Sequence, residues 1–119
     1  MTNNELKQLR RLLFLDVSDA ARLIGDCEPR TWQRWEKGDR AIPADVVQFV
    51  QMLALTRWER LQFEFEDSNP NYQYFETFEE YKLAGGSGNE LIWRLAQSVA
   101  AHLLCEREAD RWRAEETVQ

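Results

Sequence analysis

Residues 18–40 read Ser18-Asp-Ala-Ala-Arg-Leu-Ile-Gly-Asp-Cys-Glu-Pro-Arg-Thr-Trp-Gln-Arg-Trp-Glu-Lys-Gly-Asp-Arg40, and this stretch decides the fold. Ala20, Ala21 and Ile24 fall at helical spacing ahead of Gly25, and the small alanines call for close helix packing. Pro29, at a first helical position, opens a second short helix that Gly38 closes. At about 100° per residue, Trp32 and Trp35 share one face of that second helix, while Arg30, Arg34 and Lys37 form an i, i+4, i+7 stripe on the other, flanked by Gln33. A helix that packs through its indoles and leaves arginine and glutamine free fits a DNA major groove.

Outward from this stretch, the pattern stays helical. Asn4 is positioned to cap a first helix carrying Leu6, Leu9, Leu12 and Leu13 at helical spacing, with Phe14 and Leu15 closing it. Asp16 caps the second helix with Asp19 as its capping-box partner, and Gly25 stops it. Pro43 opens a fourth helix extending to about Glu66, whose apolar stripe from Val46 to Trp58 is broad enough to face more than one neighbour. Asp67-Ser-Asn-Pro-Asn71 is the strongest breaker and sets the boundary between an N-terminal unit, 1–66, and a C-terminal region, 67–119. Beyond it, Tyr72-Gln-Tyr-Phe75 suits a short strand or an extended arm, Thr77 opens a short helix, and Ser87 with Glu90 opens a final one. The fold class expected is all-α, with one short strand near 72–75 as an option.

Composition bounds the function. The 119 residues, 44% of them hydrophobic, bury one compact core or one small domain with a dimerising extension. The net charge of −6 argues against nucleic acid until it is located. Residues 1–43 hold 8 Lys and Arg against 7 Asp and Glu, whereas residues 67–119 hold 5 against 10. A locally neutral first half can present a basic face if its acids point elsewhere, although long-range steering toward DNA is weak. Cys27 and Cys105 lack metal-ligand spacing and His102 is the single histidine, so no metal and no cofactor is expected. The absence of a signal core or a membrane-length apolar run points to a cytoplasmic protein away from membranes. His102 and Cys105 have no orienting third group, and the glycine loop 85–88 lacks the Lys and Ser/Thr of a phosphate loop, so an enzyme is not expected.

Residues 4–55 resemble the Cro/CI-type (XRE) helix-turn-helix domain through Ala21, Gly25, Cys27 and Trp35-Glu-Lys-Gly38. That pattern together with a Trp-rich, acidic C-terminal region is similar to the YdiL-like bacterial regulators, a family that includes repressors associated with anti-CRISPR genes. The resemblance implies a lambda-repressor-like domain of four to five helices. It also implies base readout by Arg30, Gln33 and Arg34, and an ion pair between Arg10 and Glu36 tying two helices together. Thr31, Lys37 and Arg40 are the candidates for phosphate contacts. The chain departs from the pattern in two places. Val17 stands where such domains often carry a phosphate-binding glutamine, and Asp26 is an extra residue in the turn, which leaves the tilt of the third helix open.

Taken alone, a cationic stripe is most often a solvated face; the surrounding pattern is what turns it into a DNA reader. Half-sites give few contacts, so such proteins bind inverted repeats as homodimers. Tyr72, Tyr74, Phe75, Trp93, Leu95, Val99, Leu103 and Trp112 are the candidates for dimerisation, along with Phe78 and Tyr81, unless they simply cover the fourth helix. The expected function is a sequence-specific transcriptional repressor acting on double-stranded DNA. The alternatives are an antitoxin-like or adaptor module whose acidic half binds a protein partner, and an RNA binder gripping a hairpin stem.

Overall fold

A computed structural model describes residues 1–63 and 65–118. Six α-helices make up most of it, and no strand occurs among the described residues. The first, α1 (Asn3–Leu12), starts at Thr2 rather than at Asn4. Thr2 Oγ1 accepts from the Glu5 N–H at 3.1 Å and Glu5 returns a bond to the Thr2 N–H at 2.8 Å. Asn4 has Lys7 three residues on, which cannot return that bond, so the reciprocal box selects Thr2. Leu6 and Leu13 are buried but Leu12 is exposed. Phe14 takes a left-handed conformation (φ 62°) that turns Leu15 back into the core.

The next helix begins as α2 (Val17–Ala20), where Asp16 accepts from the Asp19 N–H at 2.7 Å. Asp19 does not complete a box, because its carboxylate bonds to Arg22 instead. The helix then widens into a π-helical turn, Ala21–Gly25. The Ala21 carbonyl accepts from both the Asp26 and Cys27 N–H groups, and Asp26, not Gly25, is the left-handed residue that ends the helix (φ 46°). The turn between the helices is thus a widened one that ends on a single αL position, a conformation aspartate tolerates. Gly25 has a different role. A Cβ there would lie 3.2 Å from the rings of both Trp32 and Trp35, so its missing side chain lets the backbone sit against the indoles.

After α3 (Pro29–Lys37), Gly38 adopts φ 83°, the usual left-handed helix stop. The helix α4 (Ala44–Arg60) ends six residues earlier than the sequence pattern suggests. It buries Val46, Val50 and Leu53 and packs on α1, on the π-helical turn and on the last helix, but leaves Met52, Leu55 and Trp58 exposed. Its apolar stripe is therefore only partly covered.

The segment considered for a strand, 72–75, starts on the last residue of a 3-10 turn, Pro70–Tyr72, and continues with Gln73 in extended backbone. No ladder forms, because the Phe75 carbonyl is taken by side chains: Trp93 Nε1 donates to it at 2.9 Å and Gln97 Nε2 at 2.8 Å. Thr77 caps α5 (Phe78–Leu83) by accepting from the Glu80 N–H. The last helix, α6 (Glu90–Val118), is capped by Asn89, which accepts from the Leu91 N–H at 2.9 Å; Ser87 instead braces the Asn89 N–H.

Leu91, Leu95 and Val99 of α6 belong to the same buried cluster as Leu6, Trp32 and Val50. α4 ends at Arg60 and the next turn begins at Pro70, yet residues on both sides share one core. A smaller cluster around Tyr81, Trp93 and Ala96 adds Phe75, Phe78 and Ile92. Gly86 closes over the Tyr81 ring, where a Cβ would come within 2.5 Å, and the Tyr81 hydroxyl donates to Asn71 Oδ1 at 2.6 Å.

Candidate nucleic-acid interface

The amphipathic α3 separates its two faces completely. Trp32 is 0% and Trp35 6% exposed, with their rings edge to face at 5.5 Å. On the other side, Arg30, Gln33 and Lys37 are exposed and Arg34 is half-buried. These four side chains line one shallow concavity together with Asp39. Thr31 is half-buried outside that lining, with its N–H returned to the Glu28 carbonyl. Arg40 is exposed just past the helix, and its N–H bonds the Arg34 carbonyl at 3.4 Å.

A second concavity adjoins the first and shares Gln33 and Lys37 with it. Its other walls are Lys7, Arg10, Arg11, Val17 and Glu36. Lys7 and Arg11 thus stand beside α3, although the sequence pattern gave no reason to connect them with it. Their i, i+4 spacing on the polar face of α1 is visible in the sequence; which neighbour that face adjoins is a tertiary fact. None of Lys7, Arg11, Arg30, Arg34, Lys37 or Arg40 makes an ion pair within 4 Å among the described residues.

Of the two acids that line these concavities, Asp39 and Glu36, the second is neutralised. Glu36 Oε2 accepts from Arg10 Nε at 2.7 Å and Oε1 from Arg10 NH2 at 3.0 Å, a bidentate pair with both side chains largely buried. Trp32 Nε1 donates to the same carboxylate, and Arg10 also donates to the Leu15 carbonyl at 3.0 Å. Burial pushes the Glu36 carboxyl upward, but the hydrogen bonds from Arg10 and Trp32, with the charges of Arg10 and Lys7, outweigh it and hold the group below the usual carboxylate range. Asn3 adds a bond to the Glu36 backbone carbonyl at 3.1 Å, so α1 and α3 are clamped at two points.

The family model for Aca2/YdiL-like proteins matches residues 1–112. The chain belongs to that family. It is 40% identical over 114 residues to the Aca2 repressor of Pectobacterium phage ZF40, an alignment covering 92% of this chain and 98% of that protein. It is 30% identical over 111 residues to YdiL of Escherichia coli (strain K12), covering 87% of this chain and 92% of the relative.

In this Aca2/YdiL-like protein the C-terminal aromatic and aliphatic residues divide by burial. Trp93, Leu95 and Val99 are buried in the clusters described above, Leu95 and Val99 in the one that α4 shares, as covering the fourth helix requires. Phe78 and Leu103 are half-buried against those clusters and Tyr81 is fully buried. Tyr72 stacks on Phe65 at 4.2 Å and Phe75 is half-buried against Tyr81. Tyr74 and Trp112 remain exposed. Four charged groups join the two ends of the fold: Arg22 pairs with Asp19 and Glu90, and Arg94 reaches Asp19 at 3.7 Å.

His102 bonds Glu106 at 3.0 Å on an exposed stretch of α6 where Cys105 is also exposed. Among the described residues no group of three or more His, Cys, Asp or Glu is arranged to hold a metal ion. No helix among them is long and apolar enough to cross a membrane.

Proposed function

We propose that the protein is a sequence-specific DNA-binding repressor that acts by occupying an inverted-repeat operator as a homodimer, with no chemical step. The observation that carries this reading is the free face of α3, where Arg30, Gln33, Arg34 and Lys37 stand together around one concavity while the indoles are sealed inside. In this reading α2, the π-helical turn and α3 act as a helix-turn-helix of the Cro/CI type. Arg30 and Arg34 bind the O6 and N7 of guanines, Gln33 suits an adenine, and Lys37, Arg40 and Thr31 serve phosphates. The name of the phage relative, Aca2 repressor, supports the regulatory role. Tyr74 and Trp112, still exposed, and the half-buried Tyr72, Phe75 and Leu103 are the remaining candidates for contact between copies.

Selection of bound sequences from random duplex DNA at 0.15 M salt, a strength near physiological, tests the reading, with one palindromic motif expected. Arg30→Ala and Arg34→Ala are each expected to remove most discrimination between the selected duplex and a shuffled one, at about 1–3 kcal/mol per lost bidentate contact. Discrimination that survives loss of both arginines overturns the readout assignment, and absence of any enrichment overturns the function.

A further inference from the structure

The N-terminus of α2 is unsuited to a phosphate. Its first residue, Val17, offers no polar side chain, and the Asp16 carboxylate already occupies the Asp19 N–H that an anion would use. A negative cap at that position also repels a second anion. Free cations beside Val17 come from other helices: Lys7 and Arg11 of α1 share with Val17, Gln33 and Lys37 the lining of one concavity, in which Arg10 is already paired with Glu36.

On α1 the exposed residues Asn4, Lys7, Gln8 and Arg11 fall within about one third of the helix circumference, opposite Leu6, Arg10 and Leu13, which are buried. That arc holds two cations, two amides and no acid. Glu5, the single acid of α1, lies off the arc in the capping box. Glu36, the acid nearest to Lys7 and Arg11 on α3, is consumed by Arg10 and Trp32. The two concavities together carry Arg11 and Lys7, Gln33 and Lys37, and Arg30 and Arg34, and Asp39, in the first of them, is the one acid of their lining other than the neutralised Glu36.

We propose that Lys7 and Arg11 of α1 form a clamp on the DNA sugar-phosphate backbone beside the groove that α3 enters, in place of a contact from the start of α2. The inference rests on the duplex-DNA reading above. With α3 in the groove, the strand flanking its α1 side passes the second concavity, where the two side chains reach it as charge-assisted hydrogen-bond donors. Such contacts are blind to sequence. They add affinity and salt dependence without changing which duplex is preferred.

The test compares the full-length wild type with a Lys7→Ala/Arg11→Ala double variant. Fluorescence anisotropy is read between 50 and 200 mM salt on a duplex enriched from random DNA by the wild type and on a shuffled duplex of equal length. The variant is expected to bind both duplexes more weakly in the same ratio. Its log–log salt slope is expected to fall by about two per protomer bound, so that over this range it loses about 12-fold less affinity per protomer than the wild type. A Lys7→Arg/Arg11→Lys variant is expected to restore both the slope and the affinity, and a Gln8→Ala variant, on the same arc, to retain them. Both cations are exposed, and an unchanged melting temperature is expected.

An unchanged slope overturns the clamp while leaving α3 as the reader, and so does a collapse of the preference ratio, which would make the pair a base contact. A loss confined to double-stranded RNA of the same length overturns it as a DNA contact. Failure of the wild type to enrich any duplex overturns the parent reading and the clamp together.

Discussion

At the scale of single residues, Glu36 is the position on which most depends. It receives two bonds from Arg10 and one from Trp32, and all three donors lie in or at the edge of the core. Glu36→Gln keeps the shape but leaves the Arg10 guanidinium uncompensated, an expected loss of about 3–5 kcal/mol read by urea denaturation. Because the folded carboxyl is held below its ordinary value, its contribution is present above about pH 4.5 and fades as pH falls through the folded value. Wild-type melting temperature is thus expected to drop below pH 4.5 more steeply than that of the glutamine variant, and parallel acid profiles would show that Glu36 is not the linked group. Of this arrangement, only the Arg10 partnership was legible, and that by resemblance, since 26 residues separate the pair. Nothing in spacing reveals the Trp32 indole as a further donor. Arg30, Gln33, Arg34 and Lys37 were legible by period alone, because a helix with two indoles on one face has few options for the other.

At the scale of elements, the helices were legible and their ends less so. Periodicity is a property of the whole segment, whereas an end depends on one or two competing hydrogen bonds. Thr2 displaced Asn4 because Glu5 reciprocates, and Asn89 displaced Ser87 because its own side chain reaches the Leu91 N–H. The junction of α2 and α3 is the element on which the heading of α3 depends. Gly25→Ala would bring a methyl to 3.2 Å from both indoles and 2.8 Å from the Cys27 sulfur. Even if the thiol rotates away, the two rings remain, so an expected cost of about 1–3 kcal/mol accompanies a shift of α3 relative to α2. Chemical denaturation measures the first, and the indole Nε1 resonances of Trp32 and Trp35 report the second; unchanged indole signals would mean that the backbone has slack. Resemblance to the Cro/CI pattern singled out Asp26 in this turn, but not the π-helical turn before it, since a wider turn has no signature in residue type.

At the scale of the whole molecule, the residues after 66 complete the core of those before it. Breaker residues at 67–71 mark a stretch without α-helix, and a sequence pattern carries no record of which buried faces later meet. Leu95, fully buried in α6, touches the cluster that contains Leu6 and Trp32. Leu95→Ala is therefore expected to cost about 2–5 kcal/mol and to lower the unfolding of both halves as one cooperative transition. Differential scanning calorimetry would detect two separate transitions if the halves were thermodynamically independent. Beyond Ala101 most of α6 is exposed, while its first three turns are sunk in the core and tied to Asp19 and Arg22 by Glu90 and Arg94. Mechanically, this makes residues 102–118 of α6 a stiff rod of about 26 Å held at its inner end. A tilt of about 5° at the clamp sweeps the far tip by about 2 Å, and the same lever works in reverse. Whatever grips the outer half of the rod holds α2, and through it α3, by the same handle.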